Sequence, residues 1–150
     1  MKVTVRQATA EDQLLYLRLL PELRVDDPPP DATKWVGELA ACTLIAERGG
    51  ESVGACTFVT LEGNGHVRAL MVDPRTRRFG VGRSLLEAVA GKLRAGGCSK
   101  WTLNVKPENT AATALYVSLG FRRGFSAVAC AWRGRWWSTC RSASRCSHAG

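Results

Sequence analysis

Residues 69–84 read Ala-Leu-Met-Val-Asp-Pro-Arg-Thr-Arg-Arg-Phe-Gly-Val-Gly-Arg-Ser: an apolar strand, a basic turn bearing two glycines, and the start of a helix. Gly80 and Gly82 carry no Cβ, so the chain can turn tightly there and bring successive backbone N–H groups up to a ligand. The same N–H groups open the helix that follows, where donors lack intrahelical partners and the helix dipole favours an anion. Arg77, Arg78 and Arg83 place cations around that point. The stretch predicts a pyrophosphate cradle.

Two other glycine-loop readings fail on the residues. A dinucleotide fingerprint needs a third glycine and an acidic residue about twenty positions on, but Leu85 stands at the glycine position and Lys100 and Trp101 where the acid is wanted. A P-loop needs a Gly-Lys-Ser/Thr ending, which is absent.

The second informative stretch runs from Trp101 to Phe121. Trp101 to Val105 alternates as a strand should, Pro107 ends it, and Asn109 is a candidate N-cap for a helix from Thr110 to Leu119 closed by Gly120. At about 100° per residue, Asn109 and Tyr116 return to nearly one helix face, with Ala112 between them. A small residue flanked by a cap and a phenol leaves room for a ligand chain across that face.

Both stretches resemble one family. Arg77-Arg78-Phe79-Gly80-Val81-Gly82 is similar to the Q/R-x-x-G-x-G/A signature of the GNAT (GCN5-related N-acetyltransferase) superfamily. The string N-x-x-A-x-x-x-Y-x-x-x-G-F from Asn109 resembles that family's last motif, at a suitable separation. The resemblance implies an α/β fold of the α+β type: a mixed, mostly antiparallel sheet, splayed at a cofactor cleft and flanked by helices. It implies acetyl coenzyme A as cosubstrate, its pyrophosphate held by Arg77 to Ser84 (Phe79 and Val81 included) and its remainder by Asn109 and Ala112. The pantetheine arm would hydrogen-bond to the strand edge at Leu70, Met71 and Val72. In many members the tyrosine matching Tyr116 protonates the departing thiolate.

The implied activity is transfer of an acetyl group to a primary amine by direct attack, without an acyl-enzyme. A lysine-like amine has a pKa of about 10.4, so its proton needs a route away at neutral pH. His66 stands at the spacing where histone-type relatives place a glutamate base, and a neutral histidine can serve there, directly or through a water. Glu62 is a weaker alternate. Relatives that acetylate ribosomal-protein N-termini carry a glutamate where this chain has Asn104, which can hold a water or a substrate amide but cannot take the proton. The acceptor wall would come from the segment after the first helix, where Asp26, Asp27 and Asp31 can attract a cationic amine or form a solvated acidic loop. Readings to set against transfer are a coenzyme A sensor without activity and a binder of nucleic acid or membrane surface acting through the basic tail.

Length and charge bound the remainder. A chain of 150 residues suits one domain with a single core. We expect an N-acetyltransferase domain over 1–125 and an atypical basic tail over 126–150. The tail carries Arg133, Arg135, Arg141 and Arg145 and no acid, so it supplies four of the eight net positive charges and leaves a mildly basic body. Nucleic acid is therefore disfavoured as a partner. Trp132 to Gly150 has neither helical nor strand period and reads as a foreign, poorly ordered ending, such as a frame change near Phe125 would give.

No apolar run approaches the roughly 20 residues of a bilayer span, and no signal-peptide pattern opens the chain, so a cytoplasmic protein is expected. A homodimer is compatible with this reading, and the acceptor would be a small-molecule or peptide amine. Cys42, Cys56 and Cys98 stand singly, without metal-ligand spacing, and read as reduced, buried thiols; no metal is expected.

Outward from the motifs, Val3 to Gln7 is a strand and Thr9 to Asp12 a capping-box-like helix start, with Leu15, Leu19 and Leu23 at helical spacing. Asp31 to Leu39 is a shorter helix. Thr43 to Glu47 and Ser52 to Leu61 make a hairpin about Gly49-Gly50, and His66 to Val72 follows. Gly82 to Ala95 is a helix with Leu85, Leu86, Val89, Ala90 and Leu93 on its apolar face.

Overall fold

The computed structural model describes residues 2–23, 28–61, 63–98, 100–104, 110–119, 121–123 and 128–130. Its strands are β1 (Val3–Gln7), β2 (Thr43–Arg48), β3 (Glu51–Leu61), β4 (Asn64–Val72), β5 (Lys100–Asn104), β6 (Arg122–Arg123) and β7 (Val128–Cys130). They are hydrogen-bonded in the order β1-β2-β3-β4-β5-β7-β6. The helices are α1 (Gln13–Leu19), α2 (Ala32–Lys34), α3 (Val81–Ala95) and α4 (Thr110–Ser118). Element order and types follow the sequence reading closely, and β7 falls within the Ser126 to Cys130 stretch. The rest of the tail from Ala131 lies outside the described residues.

The chain groups into two compact units, Met1–Phe58 with Ala69–Val89, and Val59–Arg68 with Ala90–Gly150. In the first, β1 pairs antiparallel with β2, and β2 with β3 about a tight turn at Gly49 and Gly50. Both glycines adopt positive φ (62° and 82°), the backbone region that a Cβ disfavours. One side of this unit holds an apolar cluster in which Tyr16, Leu19, Trp35 and Leu39 pack with Ile45, Ala55 and Met71. Trp35 is wholly buried, its ring centroid 5.0 Å from that of Tyr16 and its Nε1–H donating to the Thr9 carbonyl at 3.1 Å.

Thr9 opens the first helical stretch as the sequence implies. Its N–H and hydroxyl both donate to Asp12 Oδ2, at 2.8 and 3.3 Å, and Asp12 also receives a two-pronged bond from Arg6 at 2.8 Å. These bonds, chiefly that from Arg6, hold the Asp12 carboxyl below the usual carboxylate range. The stretch starts as a 3₁₀ turn, Ala10–Asp12, before α1 begins. After α2 the chain widens into a π-helical turn over Trp35–Leu39, so the expected helix from Asp31 to Leu39 is present but changes pitch.

Gly54 on β3 decides how close α3 can lie. A Cβ built there would meet Val81 Cγ1 at 2.8 Å, Leu85 Cδ1 at 3.1 Å and the Met71 carbonyl at 3.2 Å. The expected apolar face of α3 (Leu85, Leu86, Val89, Ala90, Leu93) is buried throughout. In the second unit Gly65 does the same for Leu93, whose Cδ1 would lie 2.4 Å from a Cβ. There β4 pairs parallel with β5, β5 antiparallel with β7, and β7 antiparallel with β6.

Gly54→Ala is therefore expected to destabilise the protein by about 1–3 kcal/mol through overpacking against Val81 and the Met71 carbonyl. Gly91→Ala, at an exposed α3 site where a Cβ meets nothing within 4 Å, should stabilise by about 0.5–1 kcal/mol. Denaturant midpoints of the two variants should move in opposite directions.

Candidate active site

In the first unit β4 leads through Asp73 into a 3₁₀ turn, Pro74–Thr76, and then into the basic turn before α3. Asp73 anchors this exit. Its N–H donates to the Val53 carbonyl at 2.8 Å, and its buried carboxylate accepts from the Arg75 N–H at 3.0 Å, Nε at 3.2 Å and Nη2 at 2.8 Å. Arg18 Nη1 stands 4.0 Å away. The Arg75 side chain, then its backbone N–H, hold the Asp73 carboxyl down to a pKa of about 2.

Beyond it, Arg78 and Gly80 both take positive φ, 73° and 79°. The α3 ladder opens with the Ser84 N–H donating to the Gly80 carbonyl at 2.9 Å. The Val81 and Gly82 amides therefore belong to the first turn, which a helix leaves without intrahelical acceptors. Among the described residues, a Cβ on Gly80 would meet nothing within 4 Å beyond its chain neighbours, so the turn is open on that side. Of the two glycines read as turn-makers, Gly80 does the turning. Gly82 sits inside the first turn of α3 without positive φ.

The cations around the turn are not equivalent. Arg77 Nη2 lies 2.6 Å from Glu22 Oε1, and Arg83 Nη1 lies 3.8 Å from Glu87 Oε1 one helical turn on. Arg78 is exposed and, among the described residues, has no acidic partner. A fourth arginine, Arg48 at the end of β2, stacks its guanidinium 3.8 Å over the Phe79 ring, and its buried Nε has no hydrogen-bond partner among the described residues. Sequence reading missed Arg48, because it reaches the turn only through strand register. Its place just before the Gly49-Gly50 turn was the available signal.

The second unit carries the groups suited to moving protons. His66 on β4 is the register partner of Thr102 on β5, and its Nδ1 lies 2.9 Å from Thr102 Oγ1. Burial, then the Arg68 cation, push the His66 pKa below its ordinary 6.5, so the ring is neutral at pH 7. Among the described residues its Nε2 makes no hydrogen bond. Tyr116 lies on α4, with Ala112 one turn earlier. Its buried ring meets Phe121 edge-on at 5.9 Å, and Phe121 in turn lies 4.9 Å from Trp101. The Phe121 N–H returns to the Tyr116 carbonyl at 3.0 Å and fixes the end of α4.

Of the strand-edge candidates, Met71 has its side chain wholly within the core, while Leu70 and Val72 are half-buried. Parallel pairing of β4 runs from Asn64 opposite Lys100 to Val67 opposite Leu103, and β4 continues to Val72. Asp31 accepts from the Lys34 N–H at 2.8 Å as the α2 cap. Asp26, Asp27, Glu62 and Asn109 lie outside the described residues. Cys56 and Cys98 are buried free thiols, and burial pushes both pKa values up; Cys42 is only half-buried, correcting that expectation. Among the described residues no cluster of His, Cys, Asp or Glu could hold a metal ion, and no helix is long and apolar enough to cross a membrane.

A family model described as acetyltransferase (GNAT) family matches residues 11–121. The chain belongs to the GNAT family. It is 45% identical over 67 residues to a mycothiol acetyltransferase of Saccharopolyspora erythraea, a match covering 45% of this chain and 22% of that protein. It is 46% identical over 52 residues to the ribosomal protein bS18-alanine N-acetyltransferase of Escherichia coli, covering 35% of each. The chain thus spans well under half the length of these curated relatives. Its fold is that of PaiA N-acetyltransferase from Thermoplasma acidophilum, solved in complex with coenzyme A. That structure matches with a TM-score of 0.69 at 14% identity, over 87% of this chain and 98% of that one. The GNAT fold expected from the two motifs, a mixed sheet flanked by helices, is the fold observed.

Because the Asp73 pKa is depressed on folding, its contribution to stability is present above the ordinary value of 3.8 and is lost as pH falls towards about 2. Asp73→Asn should flatten the fall in melting temperature across that window, with the largest difference from wild type above pH 4.

Proposed function

We propose that this GNAT protein is an N-acetyltransferase that uses acetyl coenzyme A and a primary amine. The observation that carries the reading is the turn from Arg77 to Ser84. Positive φ at Gly80, first-turn amides at Val81 and Gly82, and Arg78, which has no acidic partner among the described residues, suit a diphosphate. Among the described residues, nothing beyond its chain neighbours lies within 4 Å of a Gly80 Cβ, which would leave room for phosphate oxygens to approach the main chain. Asn109 and Ala112 are proposed to contact the remainder of the cosubstrate, with backbone groups of Leu70, Met71 and Val72. Bound there, acetyl coenzyme A would supply an acyl group already activated as a thioester.

The chain's own part is to manage protons. A neutral His66 is proposed to take the proton of the attacking amine at Nε2, directly or through a water. The Tyr116 hydroxyl is proposed to give a proton to the sulfur as the C–S bond breaks and the C–N bond forms. Protons balance, and no acyl-enzyme is needed. Because the His66 pKa is lowered, the base form persists at neutral pH, and the acid limb of the rate profile should lie below 6.5.

The acceptor is proposed to be an amine on a small molecule or at a peptide N-terminus. The relatives' names carry mycothiol in one case and a ribosomal protein's alanine in the other.

Calorimetry with acetyl coenzyme A should show binding that Gly80→Val weakens by 10-fold or more. Free thiol should appear on adding one member of a panel of amines and alanine-headed peptides. Tyr116→Phe should lower turnover about 10-fold or more with little change in the acetyl coenzyme A KM, on the scale of acid catalysis. His66→Gln should abolish the acid limb. Binding without thiol release for any amine would favour a sensor, and no binding would remove the proposal.

A further inference from the structure

His66 is half-buried, and one of its ring nitrogens faces a buried hydroxyl. Its Nδ1 meets Thr102 Oγ1 at 2.9 Å, directly across the parallel β4–β5 ladder, and Thr102 has no exposed surface. We propose that Thr102 is a positioning residue for the proton transfer assigned to His66: its oxygen accepts the Nδ1–H and so keeps Nε2 as the nitrogen that takes the amine's proton. This inference rests on the His66 reading above.

A neutral imidazole has one donor and one acceptor nitrogen, and the partner of one decides the role of the other. For Nε2 to receive a proton, hydrogen must already sit on Nδ1. Once the ring is charged both nitrogens donate, and an oxygen already accepting from Nδ1 serves both states without moving. A hydroxyl donating to Nδ1 would have to turn away first. Thr102 is β-branched on a strand, so its oxygen has few places to go.

The hydroxyl also orients the ring without charging it. A carboxylate at the same place would favour imidazolium and raise the pKa. Here burial and Arg68, the charge that bears on the ring among the described residues, act the other way. The ring is thereby held in one orientation and kept unprotonated at neutral pH.

The test is nitrogen-15 NMR of the full chain, with His66→Gln assigning His66 against His148, the chain's other histidine. In wild type at pH 8 the His66 ring should be protonated at Nδ1. Thr102→Val should give a mixture of tautomers, lower kcat/KM for the amine by about 10-fold or more and leave the acetyl coenzyme A KM unchanged. Its acid limb should move to lower pH, because the imidazolium loses a charge-assisted acceptor. Thr102→Ser should restore tautomer and rate. A wild-type ring protonated at Nε2 would overturn the proposal whether or not Thr102→Val folds, as would a Thr102→Val enzyme with unaltered tautomer and rate. Full activity in His66→Gln would instead overturn the His66 reading, and this inference with it. A slow His66→Gln beside an unaltered Thr102→Val would overturn only the role of Thr102.

Discussion

The close approach that Gly54 permits sets where the first turn of α3 lies. Val81 and Leu85 are buried, and both press on the one β3 position that lacks a side chain. The first turn of α3 is thus held by packing on rigid strands, and the amides of Val81 and Gly82 are carried by that same turn. A helix end fixed by core contacts presents its donors in one direction, which a helix end on a free loop would not. Packing and the proposed anion site therefore share residues: a Cβ at Gly54 would displace the first-turn amides as well as the core.

The chain reaches that helix through a conformation with a cost. Left-handed backbone at Arg78, which has a Cβ, costs of order 1–2 kcal/mol, whereas at Gly80 it is free of that penalty. Such a conformation persists when its surroundings over-determine it. On one side Asp73 ties down Arg75 through three hydrogen bonds, and on the other Arg48 clamps the ring of Phe79. Exposed Phe79, unusual for a large aromatic, is accounted for by this stack. The strain and the two points at which it is restrained, Arg75 and Phe79, fall within the eight residues from Asp73 to Gly80, the segment proposed to hold a diphosphate.

Much of this was legible in the sequence, and the division has a physical basis. Features set by local spacing were readable: the Gly49-Gly50 hairpin, the Thr9 cap, the apolar stripe of α3, and the strand-turn-helix around Gly80. Each depends on residues within a turn or two of one another. Features set by register were not readable. Thr102 reaches His66 and Glu22 reaches Arg77 only after strands and helices have been placed, and nothing in their own neighbourhoods marks them; Arg48 reaches Phe79 in the same way, with the Gly49-Gly50 turn that follows it as its one local mark. The π-helical widening at Trp35–Leu39 is a third kind, arising where wholly buried Trp35 meets Tyr16 and the Thr9 carbonyl at once.

The pairing of Arg77 with Glu22 bears on whether this arginine can serve the proposed ligand at all. Both side chains keep exposed surface, 53% for Arg77 and 26% for Glu22, and an ion pair of that kind is worth only about 0–1 kcal/mol. A charge-assisted hydrogen bond to a phosphate oxygen contributes more, about 1.5–3 kcal/mol. On the proposed reading, exchange from carboxylate to diphosphate would therefore be downhill, and Glu22 would hold the resting arginine rather than compete for it. Holding has a use in a chain of net charge +8. A guanidinium already restrained near the turn loses less conformational freedom on binding than a free one would. Arg78, which has no acidic partner among the described residues, would need no such exchange, so on the proposed reading one cation would be ready at encounter and a second would follow by swapping partners.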